Sequence, residues 1–364
     1  MWKTSSVLLL IVVILLTLGV VMVASTSAIK GLSDHGDQNY FLKRQLVWMV
    51  LSVITGIIAC KFDYHYWRYL AVPLLIVSCL MLVLVFVPHI GARVGGSFRW
   101  LRFGGLSFQP SEIAKFSLIV AVCWWLARER RRVQEFLRGF LYPAAVIGFV
   151  LLLILAEPDF GTTTLTAAVS ILIMFVAGVR IFYLLLLATG GAFALAVIVA
   201  HNANRMDRLM AFLDPEKYAQ TSAFQLISAL NAFILGGPAG VGLGQSAQKH
   251  FYLPESHTDF IYAVVGEELG LQATIPVLLL YLAFFACGMR IAMKAPDIFG
   301  RFLAFGLTLM ITLQAIINFG VVTGLFPTKG LPLPFISFGG SCLLMSMVVV
   351  GVMVNIAQHA GGLI

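Results

Sequence analysis

Long apolar stretches recur along this chain and are separated by shorter polar segments. A helix that crosses the hydrocarbon core of a membrane needs about 20 consecutive apolar residues. We therefore expect a transmembrane helix at each stretch that approaches this length. The predicted spans are 6–26, 45–60, 70–88, 111–127, 140–156, 162–178, 181–200, 260–288, 302–323 and 341–358. The expected fold is all-α, a polytopic integral membrane protein of about ten transmembrane helices, with a single domain over 1–364.

Composition supports a membrane as the solvent for this chain. Hydrophobic residues make up 60% of its 364 positions and charged residues only 11%, whereas soluble domains carry about 25% charged residues. The formal net charge of +8 is dispersed among apolar helices, so the pattern does not indicate nucleic-acid binding. No pair of cysteines has the spacing of a metal site or a redox motif, and we interpret all of them as small apolar core residues. They are Cys60, Cys79, Cys123, Cys287 and Cys342.

The charges between the predicted spans indicate the orientation of the chain. An even number of spans places both termini on one side. Basic residues divide evenly between the two sides, but long outer loops cross a membrane regardless of their charge. The short segment Arg128–Arg138 is rich in arginine, and acidic residues concentrate on the other side. We therefore expect both termini in the cytoplasm.

This orientation places three substantial loops outside, at 89–110, 201–258 and 324–340. The largest lies between helices 7 and 8 and contains an amphipathic stretch at 219–235, too short and too polar to span a membrane. The glycine run Gly236–Gly244 follows it. This run lacks the GK[ST] ending and the flanking strand of a phosphate-binding loop. We interpret it as a tight turn and expect no nucleotide cofactor.

The segment Lys249–Phe260 places a carboxylate, Asp259, where an outer loop enters the membrane. One interpretation is structural, with Thr258 as the cap of a helix and Asp259 in its first turn, where the helix dipole favours negative charge. The other is functional, with Asp259 as a general base at the boundary between water and lipid. The two are compatible, since a helix start would hold the carboxylate rigidly.

Cations and carboxylates also occupy the neighbouring outer loops. Arg99 and Arg102 are typical of interfacial anchors. Lys115 lies one turn inside the fourth predicted span, where it either pairs with Glu112 three residues earlier or binds an anion.

Two further outer segments carry charge. Glu157 and Asp159 occupy a short hairpin, where they cap the sixth helix, bind a cation, or do both. Lys329 is the only charge in the Pro- and Gly-rich loop before the last span.

An enzyme on the outer face has no access to ATP, so its substrates must carry their own activation. A lipid-linked pyrophosphate is such a substrate. Clustered cations would stabilise the departing pyrophosphate, and a carboxylate would deprotonate an incoming hydroxyl group.

Four segments resemble the SEDS family (shape, elongation, division, sporulation), which includes FtsW, RodA and SpoVE. They occur in the family's order, and the resemblance covers nearly the whole chain. The segments are FRWLRFGGLSFQPSEIAK (98–115), LAEPDFGT (155–162), GVGLGQSAQKHFYLPESHTDFIYAVVGEELG (240–270) and PTKGLPLPFISFGGS (327–341). The amino-acid sequences of these segments are closer to FtsW than to RodA. Phe338 stands where the family more often has Tyr.

The resemblance implies a peptidoglycan glycosyltransferase that polymerises lipid II, an undecaprenyl-pyrophosphate-linked disaccharide peptide. It implies that Asp259 is the catalytic residue, acting directly or through a divalent cation such as Mg²⁺ or Mn²⁺. The residues expected to bind substrate are Arg99, Arg102, Lys115, Lys249, Glu255, His257 and Lys329. Expected partners are a class B penicillin-binding protein (a transpeptidase), other division or elongation proteins and membrane lipid. The expected location is the bacterial plasma membrane at the division septum.

Two other functions stay open at this stage, and so does a role in elongation. A lipid II flippase would need ionisable residues along a path through the bilayer, but the polar residues within spans are few, among them Gln314 and Asn318. A non-catalytic scaffold for the penicillin-binding protein would not need Asp259.

Overall fold

The computed structural model describes residues 2–88, 90–94, 97–103, 106–248 and 257–361. Helices dominate these residues. In chain order the α-helices are α1 Trp2–His35, α2 Tyr40–Lys61, α3 Trp67–Leu84, α4 Pro110–Arg128, α5 Tyr142–Ala156, α6 Phe160–Ala177, α7 Ile181–Ala200, α8 Ala203–Leu213, α9 Phe224–Gly236, α10 Ile261–Leu269, α11 Leu271–Lys294, α12 Ile298–Val322 and α13 Gly340–Gly361. Short 3₁₀ turns at Tyr64–Tyr66 and Arg130–Arg132 precede α3 and follow α4, and a π-helical turn at Phe136–Leu141 leads into α5.

Ten helices in the described part of the chain are long and apolar enough to cross a membrane. They confirm the ten predicted spans. The bounds differ most at the eighth, for which the sequence predicted one helix over 260–288. The structure instead has the short helix α10 and then α11, a span that runs from Leu271 to Lys294.

Gly270 separates α10 from α11. Its φ of +71° lies in the left-handed region, which residues with a Cβ rarely adopt. A Cβ at Gly270 would also lie 2.6 Å from the carbonyl oxygen of Pro238, in the glycine-rich turn after α9. The chain therefore changes direction where two backbone segments come into close contact.

The glycine run after α9 is the tight turn that the sequence predicted. Gly237, Gly240, Gly242 and Gly244 all have positive φ. The Val241 and Gly242 amides donate to the carbonyl oxygens of Glu267 and Glu268, 2.9 and 3.0 Å away. The predicted amphipathic stretch forms α9, and the turn binds it to α10.

The buried centre of the bundle consists of α4, α12 and α13, which are mostly shielded by their neighbours. Along its length α2 packs against α13, while α12 contacts α4, α6 and α11. Helix α7 lies at the periphery, and of its side chains only Leu184 is buried. The five cysteines are free; Cys123, Cys287 and Cys342 are buried and the other two partly so.

A small antiparallel sheet occupies the loop between α3 and α4, where the sequence analysis predicted no strands. Its strands are β1 Gly91–Val94, β2 Ser97–Phe103 and β3 Leu106–Phe108, in the order β1-β2-β3. Leu101 pairs with Gly91 on one side and with Phe108 on the other. The sheet fixes the direction of the residues carried by β2.

Candidate active site

The turn His257–Phe260 carries Asp259 and leads into α10. The sequence predicted Thr258 as the helix cap with Asp259 in the first turn. In the structure α10 begins at Ile261, and its capping position is Phe260, which makes no side-chain capping bond. Thr258 is therefore not the cap, because the helix starts later than predicted.

Hydrogen bonds from two other segments hold this turn. The Phe338 amide donates to the His257 carbonyl at 2.9 Å, and the Ser337 hydroxyl donates to the Thr258 carbonyl at 2.6 Å. The Asn318 side-chain amide donates to the Asp259 carbonyl at 2.7 Å. Three consecutive backbone carbonyls are thus bound by groups from α12 and the loop before α13, which orients the Asp259 side chain.

The loop 327–339 is fixed by the same polar residues of α12. Asn318 also donates to the Leu331 carbonyl at 2.8 Å, and Gln314, one turn earlier, donates to the Pro332 carbonyl at 2.8 Å. The Tyr281 hydroxyl of α11 donates to the Pro334 carbonyl. The loop, and with it the neighbourhood of Asp259, is therefore held by buried side chains on two helices.

Gly330 faces the Asp259 carboxylate. A Cβ at Gly330 would lie 3.0 Å from Asp259 Oδ2. The absence of a side chain lets the loop backbone come close to the carboxylate. The adjacent Lys329 is half-buried, and burial lowers the pKa of its ammonium group. This predicted substrate-binding residue is thus adjacent in sequence to the glycine that faces the catalytic candidate.

Lys115 lies beneath this loop. Its ammonium group is 2.9 Å from the Glu112 carboxylate and donates to Gln314 Oε1 at 2.9 Å. The side chain is only 1% exposed. The ion pair, one of the two predicted interpretations, is present. To contact a substrate phosphate, Lys115 would have to leave this buried ion pair and become exposed. In the observed geometry Lys115 instead supports Gln314 and, through it, the loop.

Arg99 connects the small sheet to the hairpin between α5 and α6. Its guanidinium donates from Nε to the Glu157 carbonyl at 2.9 Å and from Nη2 to the Pro158 carbonyl at 2.6 Å. Arg102 lies exposed on the same strand. Arg99 thus holds the hairpin against the sheet through hydrogen bonds and also places a positive charge near the surface.

Asp159 takes the capping role that the sequence left open. Asp159 caps α6, because its Oδ1 accepts from the Thr162 amide at 3.0 Å. Its Oδ2 also accepts from the Thr162 hydroxyl at 2.8 Å and from Gln109 Nε2 at 3.1 Å.

Glu157 is fully buried, and among the described residues neither of its carboxylate oxygens has a hydrogen-bond partner. Burial, reinforced by the negative charge of Asp159 and opposed by Arg99, raises the pKa of Glu157 to about 9. Glu157 is therefore a neutral acid near pH 7.

Two arginines of α8 extend the positive charge at Arg99. Arg205 lies over the Phe160 ring, with its guanidinium carbon 3.9 Å from the ring centre, a favourable cation–π arrangement. Partial burial and the charges of Arg99 and Arg208 lower the pKa of Arg205. These three guanidinium groups form a basic cluster next to the start of α6.

His257 is buried, and it was predicted to bind substrate. Its ring packs against Phe41 and Phe338, with ring centres 4.9 and 5.7 Å away. Burial, with a contribution from the Lys30 charge, lowers the pKa of His257 to about 4. In the structure, His257 therefore packs against aromatic rings two residues before Asp259. Lys249 and Glu255, the other predicted substrate-binding residues, lie outside the described residues.

Buried polar residues that were not predicted as site residues complete the framework. Glu267 accepts from the Ala247 amide at 2.8 Å and pairs with the Ser246 hydroxyl, and Glu268 accepts from the Ser25 hydroxyl of α1 at 2.7 Å. Gln314 and Asn318 had a detectable signal, since amides spaced four residues apart in an apolar span are unusual. The residues that these amides contact are distant in sequence, and no sequence pattern indicated the contacts.

A comparison with protein families matches residues 6–361 to the family of FtsW, RodA and SpoVE, described as cell cycle protein. The probable peptidoglycan glycosyltransferase FtsW of Trichlorobacter lovleyi is 43% identical over 351 residues, which cover 96% of this chain and 92% of that protein. Stage V sporulation protein E of Bacillus subtilis is 39% identical over 360 residues, 98% of each chain.

Solved structures share the fold. A chain from a study of the structural coordination of polymerization and crosslinking by a peptidoglycan synthase complex superposes with a TM-score of 0.78, at 28% identity and 96% coverage of both chains. The rod shape determining protein RodA of Thermus thermophilus superposes with a TM-score of 0.71 at 26% identity, covering 96% of this chain and 95% of that one.

Proposed function

Because this chain belongs to the FtsW, RodA and SpoVE family, we propose that it is a peptidoglycan glycosyltransferase that polymerises lipid II during cell division. The observation that carries the proposal is the turn at Asp259, whose three carbonyls are held by Asn318, Ser337 and Phe338. A carboxylate on a turn held in this way suits a group that must meet a substrate hydroxyl in a defined orientation. The FtsW names of similar proteins support the division role.

The transfer forms one bond and breaks another at the same sugar carbon. The hydroxyl oxygen of the acceptor sugar attacks the anomeric carbon of the donor, and the bond from that carbon to the pyrophosphate oxygen breaks. Asp259 accepts the hydroxyl proton, and the lipid pyrophosphate leaves with the electron pair. A positioned general base typically accelerates such a step by about 10²–10⁴-fold.

The basic cluster of Arg99, Arg205 and Arg208 is the candidate binding site for the pyrophosphate charge. Partial burial, together with the charges of Arg99 and Arg208, lowers the pKa of Arg205. Clustered cations that repel one another gain most when an anion binds between them. Lys329, next to Gly330, adds a cation on the Asp259 side.

A divalent cation such as Mg²⁺ or Mn²⁺ would be held by Asp259. Mg²⁺ usually binds one or two carboxylates together with substrate phosphates. Among the described residues, no group of three ligating side chains includes Asp259, so the substrate would supply the remaining ligands. When bound, the cation would neutralise pyrophosphate charge.

The expected partner is a class B penicillin-binding protein, and the expected setting is the septal plasma membrane with both termini in the cytoplasm. A structural relative studied as part of a peptidoglycan synthase complex supports the partner. The arginine-rich segment after α4 supports the orientation. Green fluorescent protein fused to the C-terminus should fluoresce, and alkaline phosphatase inserted at Lys217 should be active. The reverse pattern would invert the topology.

Polymerisation of lipid II by the purified protein and its partner tests the proposal. Wild-type protein should produce glycan strands, and Asp259→Ala should reduce their rate by at least about 100-fold while the protein stays folded. Asp214→Ala is the matched control, since Asp214 is an exposed aspartate in another part of the chain. An Asp259→Ala protein with the wild-type rate would refute a catalytic role for this carboxylate.

The same assay separates the two rival functions. A flippase would move lipid II across liposome membranes without forming strands, and a scaffold would yield no strands even with its partner bound. Either result with wild-type protein would contradict the transferase proposal.

A further inference from the structure

Three ligand-type side chains cluster outside the candidate active site. Asp63, His65 and His359 offer ligand atoms that all lie within 4.8 Å of one another. The His65 Nδ1 atom is 2.7 Å from Asp63 Oδ1, and His359 Nε2 is 3.8 Å from Asp63 Oδ2. All three side chains are between 38% and 40% exposed. The cluster is therefore accessible to an ion in solution.

The cluster lies at the opposite end of the helical bundle from Asp259. Phe41, near the start of α2, contacts His257 and Phe338, whereas Asp63 follows the last residue of α2. A helix of the 22 residues of α2 is about 33 Å long. Helix α13 likewise begins beside the loop 327–339 and carries His359 at its far end. The two sites therefore face different sides of a membrane.

Buried hydrogen bonds hold the cluster in place. Asn355 of α13 accepts from the Tyr64 amide at 2.9 Å and donates to the Cys60 carbonyl at 2.8 Å. The turn that carries Asp63 and His65 is thereby fixed to the helix that carries His359. Nearby Asp297 is already engaged by the Tyr64 hydroxyl at 2.6 Å and by Arg68 at 2.8 Å.

The bond made by His359 leaves its second ring nitrogen directed at Asp63. Its Nδ1 is 3.0 Å from the Asn355 carbonyl, so Nδ1 carries a proton. In a neutral ring Nε2 is then an acceptor, and it faces another acceptor, the Asp63 carboxylate. Either a second proton on the ring or a metal cation between the two groups stabilises this arrangement. A carbonyl bond to the distal ring nitrogen is also the usual arrangement for a metal-binding histidine.

We propose that Asp63, His65 and His359 bind a divalent transition-metal ion of the zinc type. Two imidazoles and one carboxylate form a typical Zn²⁺ ligand set with an open fourth position. Ligand atoms at the usual Zn²⁺ distances lie about 3.4 Å apart, and rotation of half-exposed side chains closes the remaining gap. The bound ion would join the turn after α2 to the end of α13.

Zn²⁺ titration of the purified, tag-free protein, after removal of metals with a chelator, tests this site by calorimetry. Wild-type protein should bind one Zn²⁺ per chain and unfold at a higher temperature with the ion. His359→Gln and His65→Gln should each weaken binding by about 10-fold or more. Co²⁺ in place of Zn²⁺ should give the absorption of a tetrahedral site.

His201→Gln is the matched control. His201 is exposed, and its Nδ1 lies 2.8 Å from the carbonyl four residues earlier, as that of His359 does, but it lies outside the cluster. Zn²⁺ binding should not change in this variant. Absence of binding to wild-type protein would overturn the proposal, as would equal affinity in wild type and in the folded His359→Gln variant.

Discussion

Asn318 forms hydrogen bonds to two separate segments near Asp259. Its side-chain amide donates to the carbonyls of Asp259 and Leu331, 2.7 and 2.8 Å away. It thereby joins the turn of the catalytic candidate to the loop that carries Lys329 and Gly330. A single amide near the end of α12 thus links the two segments.

Replacing Asn318 with Ala should reduce kcat by about 10-fold or more and leave KM nearly unchanged. Two buried carbonyls would lose their donor, at a cost of about 1–3 kcal/mol each, and Asp259 would lose its orientation. Lipid II polymerisation rates per folded molecule measure the effect. Gln272→Ala is the control, because Gln272 donates to Ala239 on another part of the surface. An Asn318→Ala protein that is less stable but has an unchanged kcat would contradict a positioning role.

Glu157 gives the protein a pH dependence whose direction follows from its environment. The fully buried carboxyl has a pKa raised from 4.5 to about 9, mainly by burial. The folded state therefore holds a proton that the unfolded state releases above about pH 4.5. This contribution to stability is complete below pH 4.5 and is lost progressively as the pH rises to about 9.

Glu157→Gln should remove this dependence, because glutamine has nearly the shape of the neutral acid and does not ionise. The melting temperature of the variant should exceed that of wild type by a margin that grows from pH 6 to pH 9. Thermal unfolding in detergent across this range is the measurement, with Glu216→Gln, at an exposed position, as the control. A constant difference at every pH would show that Glu157 is already ionised.

The break between α10 and α11 is the main point at which the elements differ from their sequence prediction. Apolar residues predominate from Phe260 to Gly288, although Glu267 and Glu268 lie among them, and the pattern predicted one helix. Gly270 ends α10 because its positive φ and its contact with Pro238 depend on the turn after α9, which a local pattern does not contain. Thr258 does not cap the helix because α10 begins later, after a turn that is held by Asn318, Ser337 and Phe338.

Gly270→Ala should destabilise the protein by at least about 2 kcal/mol. The new Cβ would face a strained φ and the Pro238 carbonyl, with no flexible group able to move aside. Gly190→Ala in α7 is the matched control, since a Cβ there meets nothing within 4 Å, and alanine favours a helix by up to about 1 kcal/mol. Comparable melting temperatures for the two variants would refute the close contact at Gly270.

At the scale of the whole molecule, hydrophobic stretches predicted all ten spans, because each helix that crosses a membrane needs about 20 consecutive apolar residues. The candidate site was predicted less completely. Motif resemblance pointed to Asp259, and the spacing of Glu112 and Lys115 predicted their pair. The support that Gln314 and Asn318 give to the loop 327–339 depends on how α12 packs, which local sequence does not reveal. The sheet that positions Arg99 also lacked a sequence signal.

The rate of lipid II polymerisation by Asp259→Asn, measured with saturating substrate and the partner present, tests the central claim most directly. Asparagine keeps the shape of the side chain and removes its charge and its ability to accept a proton. The account predicts that the rate falls by at least about 100-fold while lipid II binding stays within a few-fold of wild type. A rate within a few-fold of wild type would contradict the claim that the Asp259 carboxylate is the catalytic base.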